Sequence, residues 1–118
     1  MGAELDRENV IVSVDEFVEV CAKFRQTLRS VSASNRRVRV LVEEGRPVRD
    51  GLSAIPTSAI RKTMTQKMEE LEAARHSVRK AVFALGLNEG LSIGELGRLM
   101  GFSRQLASTY AKEARGEK

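Results

Sequence analysis

A chain of 118 residues with 42% hydrophobic side chains is long enough to bury the core of one domain, or of one small domain with an extension. Its one cysteine excludes a disulfide framework within the chain, and its one histidine stands apart from other metal-binding residues, so we expect no metal site. The net charge of +4 comes from residues 57–118, which hold eleven basic and seven acidic side chains, and this surplus favours a polyanionic partner.

Several functional classes are disfavoured by what the sequence lacks. No segment approaches the roughly 18 apolar residues of a membrane span, and the start MGAELDRENV is too acidic and polar for a signal peptide. We therefore expect a cytoplasmic protein with no membrane partner. Tryptophan is absent, which disfavours a surface on which bases stack. The sequence contains no glycine-rich phosphate loop and no assembled acid–base set, so we expect neither an enzyme nor a cofactor.

The first part of the chain is expected to contain a flexible arm and then a helical region with its connector. Residues 1–12 have the polar composition of an arm, and the helical region with its connector would occupy residues 13–56. Ser13, with Glu16 three residues later, is typical of the start of a helix. Apolar residues then recur at helical spacing and predict one buried stripe: Val14, Phe17, Val18, Cys21, Phe24, Leu28 and Val31.

The segment 36–42 fits two interpretations. Its valines alternate with other residues as in a strand, yet its apolar positions also continue the helical stripe as far as Gly45, which is a normal helix end before Pro47. No other segment of the chain offers a partner strand, so a helix is favoured and a strand stays open. Residues 46–56 would then form a connector, with at most a short helical turn.

The segment 57–90 is predicted to contain a long helix that begins after Pro56. Gly86, and then Asn-Glu-Gly at 88–90, are expected to end this helix. About thirty residues would span roughly 45 Å. The predicted stripe consists of Ile60, Met64, Met68, Leu71, Arg75, Val78, Val82 and Leu85. The first helix of the same chain or a second copy of the chain could cover this stripe. Its spacing is close to that of a coiled coil, which favours the second copy and hence a homodimer. His76 is expected to be a surface or interface residue.

The last segment, residues 91–118, contains two short apolar-periodic stretches that meet at Gly101. Ser92 and Glu95 form a capping-box pattern for a first helix, and Ser103 is a capping residue for a second helix that runs to about residue 114. Gly97 would lie where the two helices approach most closely. A small shared core is expected from Leu96, Met100, Phe102, Ala107 and Tyr110.

These residues resemble the helix-turn-helix family of DNA-binding proteins. The family has a small residue four positions before the turn glycine, here Gly97, and an apolar residue directly after it, here Phe102. It has buried positions six and nine residues after the glycine, here Ala107 and Tyr110, and Ser-Arg-Gln at 103–105 looks like a common opening of a recognition helix. Ala107 departs from the more usual β-branched residue, and Leu106 is expected to pack beside it. The resemblance covers about 25 residues.

The resemblance implies that the second short helix lies in the major groove of DNA. Six side chains are expected to contact DNA: Ser103, Arg104, Gln105, Ser108, Thr109 and Lys112. Arginine can pair with guanine and glutamine with adenine, whereas Ser103, Ser108 and Lys112 are suited to phosphates. The alternative is an ordinary helical hairpin with a solvated polar face.

The sequence therefore predicts an all-α protein with a helical scaffold, a long central helix and a C-terminal helix-turn-helix. The family resemblance implies a bacterial or phage transcriptional regulator that binds double-stranded DNA as a homodimer and associates with the nucleoid. Modules of the sigma-factor region-four type also look similar over EGLSIGELGRLMGFSRQ, so a role associated with RNA polymerase stays open. An accessory module of a recombinase or transposase is a further class, which would share the DNA chemistry but need a catalytic partner chain. A protein-interaction adaptor or antitoxin-like module is the rival class, in which the first helix and the arginine-rich segment 36–39 would bind a protein partner.

Overall fold

The computed structural model describes residues 2–116, which form five α-helices and no strand. The helices are α1 (Gly2–Glu43), α2 (Val48–Ser53), α3 (Thr57–Asn88), α4 (Ile93–Met100) and α5 (Arg104–Ala114). The all-α class predicted from the sequence is confirmed. Among these residues, no helix combines the length and the apolar character needed to cross a membrane.

Helix α1 continues through both segments for which the sequence suggested another structure. The stretch 36–42 is helical, so the strand interpretation is wrong. Residues 2–12 are also helical, which differs from the expected flexible arm. Their polar side chains contact the end of α3: Arg7 Nη2 lies 3.0 Å from Glu89 Oε2, and the Asn88 side-chain amide donates to Asp6 at 2.9 Å. The polarity that indicated an arm belongs instead to the outer and edge positions of a helix.

The described residues group into two compact units. The terminal unit joins residues 2–18 to residues 73–116, and the central unit comprises residues 19–72. Helices α1 and α3 each contribute residues to both units, whereas α4 and α5 belong to the terminal unit alone.

In the central unit, the partly buried residues of α1 recur every three or four positions, which is the spacing of one helix face. They are Cys21, Phe24, Thr27, Val31, Ser34, Val38 and Leu41, with Val20 beside the first of them. Residues of α1 and α3, among them Val31 and Ile60, line a shared groove. Helix α2 packs closely on α1, because a Cβ atom at Gly51 would lie 3.0 Å from Val38 Cγ1. The connector therefore contains a short packed helix.

The buried face of α3 differs in register from the predicted stripe. It passes through Met64, Lys67 and Leu71, in steps of three and four, whereas Met68 is 58% exposed. Arg75, which the prediction also placed on this stripe, is exposed as well. The Lys67 side chain is only 23% exposed, and its ammonium lies 3.4 Å from the Glu70 carboxylate. Met68 and Arg75, which the prediction placed on the stripe, are thus not buried within the chain, and Lys67 takes the inner position between Met64 and Leu71.

The core of the terminal unit is built around Phe83, a residue of α3 that is fully buried. Leu96 of α4 and Ala107, Tyr110 and Ala111 of α5 complete the buried cluster. The predicted stripe of α3 passed through Val82 and Leu85 and did not include Phe83. The last turns of α3 therefore pack against both α4 and α5.

Gly86 allows α4 to approach α3 closely. The sequence predicted that the long helix ends at this glycine and the residues after it, but α3 continues to Asn88. Gly86 is buried, and a Cβ atom there would lie only 2.6 Å from Leu96 Cδ2. The glycine is therefore a packing position, and its role depends on a contact with another helix.

Candidate nucleic-acid interface

The start of α4 is fixed by a complete capping box. The Glu95 amide donates to Ser92 Oγ at 3.1 Å, and the Ser92 amide lies 3.4 Å from the Glu95 carboxylate that accepts from it. Two backbone donors of the first turn are thereby satisfied. The cap sets the phase of α4, so that Leu96 and Gly97 face the core.

The turn between α4 and α5 depends on the left-handed conformation of Gly101, with φ 72° and ψ 29°. Glycine adopts this conformation without the steric cost that a side chain brings. The next amide, of Phe102, donates to the Gly97 carbonyl at 2.8 Å. This bond turns the Phe102 ring towards Phe83 and Tyr110, with centroid distances of 5.9 and 5.3 Å. The turn thus connects directly to the aromatic core.

Helix α5 lies directly against α4 at Gly97. A Cβ atom at this position would lie 3.0 Å from the Ala107 Cβ, which is closer than ordinary van der Waals contact. The small side chain of Ala107 suits this approach, since a β-branched residue would add atoms at the tightest point. Leu106 does not pack into the core beside Ala107 as expected: it is 38% exposed and lies outside the buried cluster.

Helix α5 begins at the Ser103 cap, whose Oγ accepts from the Leu106 amide at 3.1 Å. Its buried face consists of Ala107, Tyr110 and Ala111. All six side chains that the sequence predicts as DNA contacts are exposed: Ser103, Arg104, Gln105, Ser108, Thr109 and Lys112. The helix therefore presents hydrogen-bond donors and acceptors outward from a firmly packed base.

The charges of the α4–α5 pair favour an anionic partner. Its two described carboxylates are already engaged, that of Glu95 in the α4 cap and that of Glu113 beside His76. Within residues 2–116, Arg98, Arg104 and Lys112 have no carboxylate partner, and all three are exposed. The uncompensated charge of this surface is therefore positive.

Arg98 is a candidate contact residue that the sequence analysis did not select. An open groove of about 420 Å³ runs between α4 and α5, and its lining includes Arg98, Ser103 and Arg104. Arg98 thus lies on α4 beside the start of α5, and its guanidinium group adds a positive charge next to that of Arg104. An exposed basic residue three positions before the turn glycine was the available signal.

His76 connects α5 to α3, which the sequence analysis did not predict beyond a surface or interface position. Its Nδ1 atom lies 3.1 Å from the Tyr110 hydroxyl oxygen, and its Nε2 atom lies 2.8 Å from Glu113 Oε2. The His76 and Tyr110 rings are 5.1 Å apart at their centroids. His76, Arg79 and Phe83 recur at steps of three and four, and this second stripe on α3 was the signal for the contact.

Neither a metal site nor a known family accounts for this surface. Among residues 2–116, no group of three or more His, Cys, Asp or Glu side chains is placed to hold a metal ion. Comparison of the chain with models of protein families, with curated proteins and with solved structures finds no match in any of the three.

Proposed function

We propose that the protein binds duplex DNA sequence-specifically, with α4 and α5 acting as a helix-turn-helix and α5 lying in the major groove. One observation carries this proposal: the contact between Gly97 and Ala107 fixes α5 on α4, while its outward face is polar and positively charged. A helix that served only the core would have no need of this face. A recognition helix needs both a fixed position on the neighbouring helix and a polar outer face.

The exposed residues divide into two chemical groups. Arg104 and Gln105 lie in the first turn of α5, where side chains of a docked recognition helix meet base edges. Arginine can donate two hydrogen bonds to guanine, and glutamine can pair with adenine. Ser108 and Lys112 lie further along α5, and Arg98 lies on α4 beside its start. All three are suited to phosphate oxygens, which set the register without reading sequence.

The proposal includes a homodimer that regulates transcription in a bacterium or a phage and acts at the nucleoid in the cytoplasm. A dimer would present two recognition helices, and linked sites bind DNA far more tightly than one. Exposed apolar side chains support a protein partner: Ile11, Val14 and Val18 share one face of α1, and Met68 is exposed on α3. A second copy of the chain would remove these side chains from water.

The same apolar side chains favour a second candidate function, a protein-interaction adaptor or antitoxin-like module. Ile11, Val14 and Val18 are spaced for a partner helix, and Arg36 and Arg37 are exposed without a described carboxylate partner. In an accessory subunit of RNA polymerase or a recombinase, these residues would bind the larger protein while α5 bound DNA. Affinity for DNA alone separates the pure adaptor from the other functions.

The deciding experiment measures binding to random duplex DNA over a range of salt concentrations, with heparin as competitor. Each phosphate contact contributes roughly −0.9 to the slope of log K against log salt. We expect Lys112→Ala to reduce the magnitude of that slope by about 0.9, and Lys62→Ala, an exposed lysine of the central unit, to leave it unchanged. Binding that does not vary with salt, or an equal effect of both variants, would contradict the proposal.

A further inference from the structure

Leu106 is an apolar residue at the edge of the outward face of α5, and it lies outside the core of the terminal unit. It is 38% exposed, whereas the neighbouring Ala107 is buried. The partly buried residues that pack against the core of the terminal unit include Met100, Phe102 and others, but not Leu106. Leu106 therefore leaves in water an apolar surface that the core of the terminal unit does not cover.

The backbone holds Leu106 in a fixed place at the start of α5. Its amide donates to Ser103 Oγ at 3.1 Å, so Leu106 is the third residue after the cap and belongs to the first turn. It follows Gln105 directly and lies one turn before Thr109, both of which are exposed. Leu106 thus borders the same outward face as the polar side chains.

The chemistry of leucine limits what it can contact in DNA. Its side chain can neither donate nor accept a hydrogen bond, and an apolar group on a phosphate-facing surface gains nothing from the phosphates. On the base edges of the major groove, the 5-methyl group of thymine is the apolar feature that a side chain can contact. Removing Leu106 and that methyl group from water together is favourable, at about 0.8 kcal/mol for each buried CH₂ group.

We propose that Leu106 is a specificity-determining residue that contacts the 5-methyl group of a thymine in the target site. The contact lies beside the hydrogen bonds expected from Arg104 and Gln105, and it adds a base preference that polar residues alone do not supply. This inference rests on the proposed function, because it requires α5 to lie in the major groove.

The test begins with sequences selected from a random duplex pool by the whole protein. Each thymine of the selected site is then replaced singly by deoxyuridine, which keeps the hydrogen-bonding edge and removes only the methyl group. We expect one replacement to weaken binding by the wild type about fourfold, which corresponds to one lost methyl contact. The other replacements should have little effect.

Two leucine variants identify the residue responsible. Leu106→Ala should bind the thymine and the deoxyuridine sites equally, because the contact with the methyl group is already lost. Leu99→Ala should retain the fourfold difference, although Leu99 is even more exposed at 75%, since it lies on α4. Both substitutions are outside the buried cluster, and thermal unfolding should show both variants folded.

The outcomes separate the two proposals. Failure to select any sequence, together with salt-independent binding, contradicts the proposed function itself. Sequence-specific binding in which no deoxyuridine replacement matters, or in which Leu106→Ala remains as sensitive as the wild type, overturns the inference about Leu106 alone. In that case the exposed leucine would be a contact for a protein partner.

Discussion

The Nδ1 atom of His76 on α3 and the hydroxyl oxygen of Tyr110 on α5 lie 3.1 Å apart. Tyr110 is otherwise buried, so its hydroxyl group needs a partner at the edge of the core. The same imidazole lies 2.8 Å from the Glu113 carboxylate, one turn further along α5. One side chain of α3 thus meets two side chains of the proposed recognition helix and fixes its rotation about its own axis.

Removing the hydroxyl group should weaken the attachment of α5 without disturbing the aromatic core. We expect Tyr110→Phe to lower the free energy of unfolding by about 0.5–1.5 kcal/mol, the net contribution of one hydrogen bond. Denaturant unfolding of Tyr110→Phe, His76→Ala and the double variant would measure the coupling between the two residues. Ser77→Ala is a matched control, because Ser77 is exposed beside His76 and bonds only within its own helix, to the Ala73 carbonyl. Strictly additive losses in the double variant would show that the two groups do not interact.

The contact between Gly97 and Ala107 leads to a prediction about how α5 is held on α4. Gly97→Leu should lower the free energy of unfolding by about 1–3 kcal/mol, because overpacking forces a tightly packed contact apart. It should also abolish most DNA binding, since α5 would no longer be held at its present angle. Unfolding curves and DNA titrations of the same preparation measure the two effects.

Gly94→Leu is the control for this substitution. Gly94 lies on the same helix, but a Cβ atom there would meet the Arg98 and Ser92 side chains only at ordinary distances of 3.7 and 3.9 Å. Both variants gain helix propensity, so their difference in unfolding free energy isolates the packing at Gly97. Equal unfolding free energies of the two variants would mean that α4 and α5 separate easily at Gly97 and that α5 is not rigidly held there.

The chemical division of the outward face predicts different effects on sequence preference. Arg104→Ala and Gln105→Ala should each relax the preference at one base pair by about 1–3 kcal/mol, whereas Lys112→Ala should weaken binding to all sequences alike. Titrations of every single-base variant of the selected site would test this. A changed base preference in Lys112→Ala, with none in Arg104→Ala, would mean that α5 docks in another orientation.

The parts of the terminal unit that the sequence predicted correctly are those defined by local bonds. The caps at Ser92 and Ser103 and the turn at Gly101 involve residues no more than five positions apart, and each has a specific residue requirement. The close approach of α4 and α5 at Gly97 was also predicted, because a small residue at a fixed distance from the turn glycine is typical of such a contact. These features placed both short helices to within a residue.

The contacts between distant segments were not predictable in the same way. Phe83 and His76 face α5 only because α4 and α5 lie against the last turns of α3, and no local pattern states which of two stripes on a long helix meets them. The register of α3 near Met68 was ambiguous for a similar reason, since an apolar residue and a lysine compete for the inner position. The lysine occupies it, with its side chain only 23% exposed and its ammonium group 3.4 Å from the Glu70 carboxylate. A lysine suits such a position because its methylene chain can be covered while its charge stays at the edge.

The register of α3 leads to a prediction about the proposed dimer. Leu71 is partly buried within the central unit, whereas Met68 is 58% exposed. Leu71→Lys should therefore destabilise the fold of a single chain, because a charge at a partly buried position must be desolvated. Met68→Lys should leave the chain folded, and it should split the dimer only if a second copy covers Met68. Gln66→Lys makes the same change of charge at another exposed position of α3 and is the matched control.

Sedimentation of the wild type and the three variants, followed by DNA titration, would measure these effects. We expect the wild type and Gln66→Lys to be dimers, and Met68→Lys to be a folded monomer whose affinity for a two-half-site DNA falls by about 10²-fold, because the gain from linked sites is lost. Its affinity for a single half-site should stay unchanged, since Met68 belongs to the central unit and α5 to the terminal unit. A wild type that sediments as a monomer at micromolar concentration and still binds DNA tightly would contradict the dimer. Met68 would then be a surface residue without a partner, and one copy of α5, with the phosphate contacts around it, would have to supply the whole affinity.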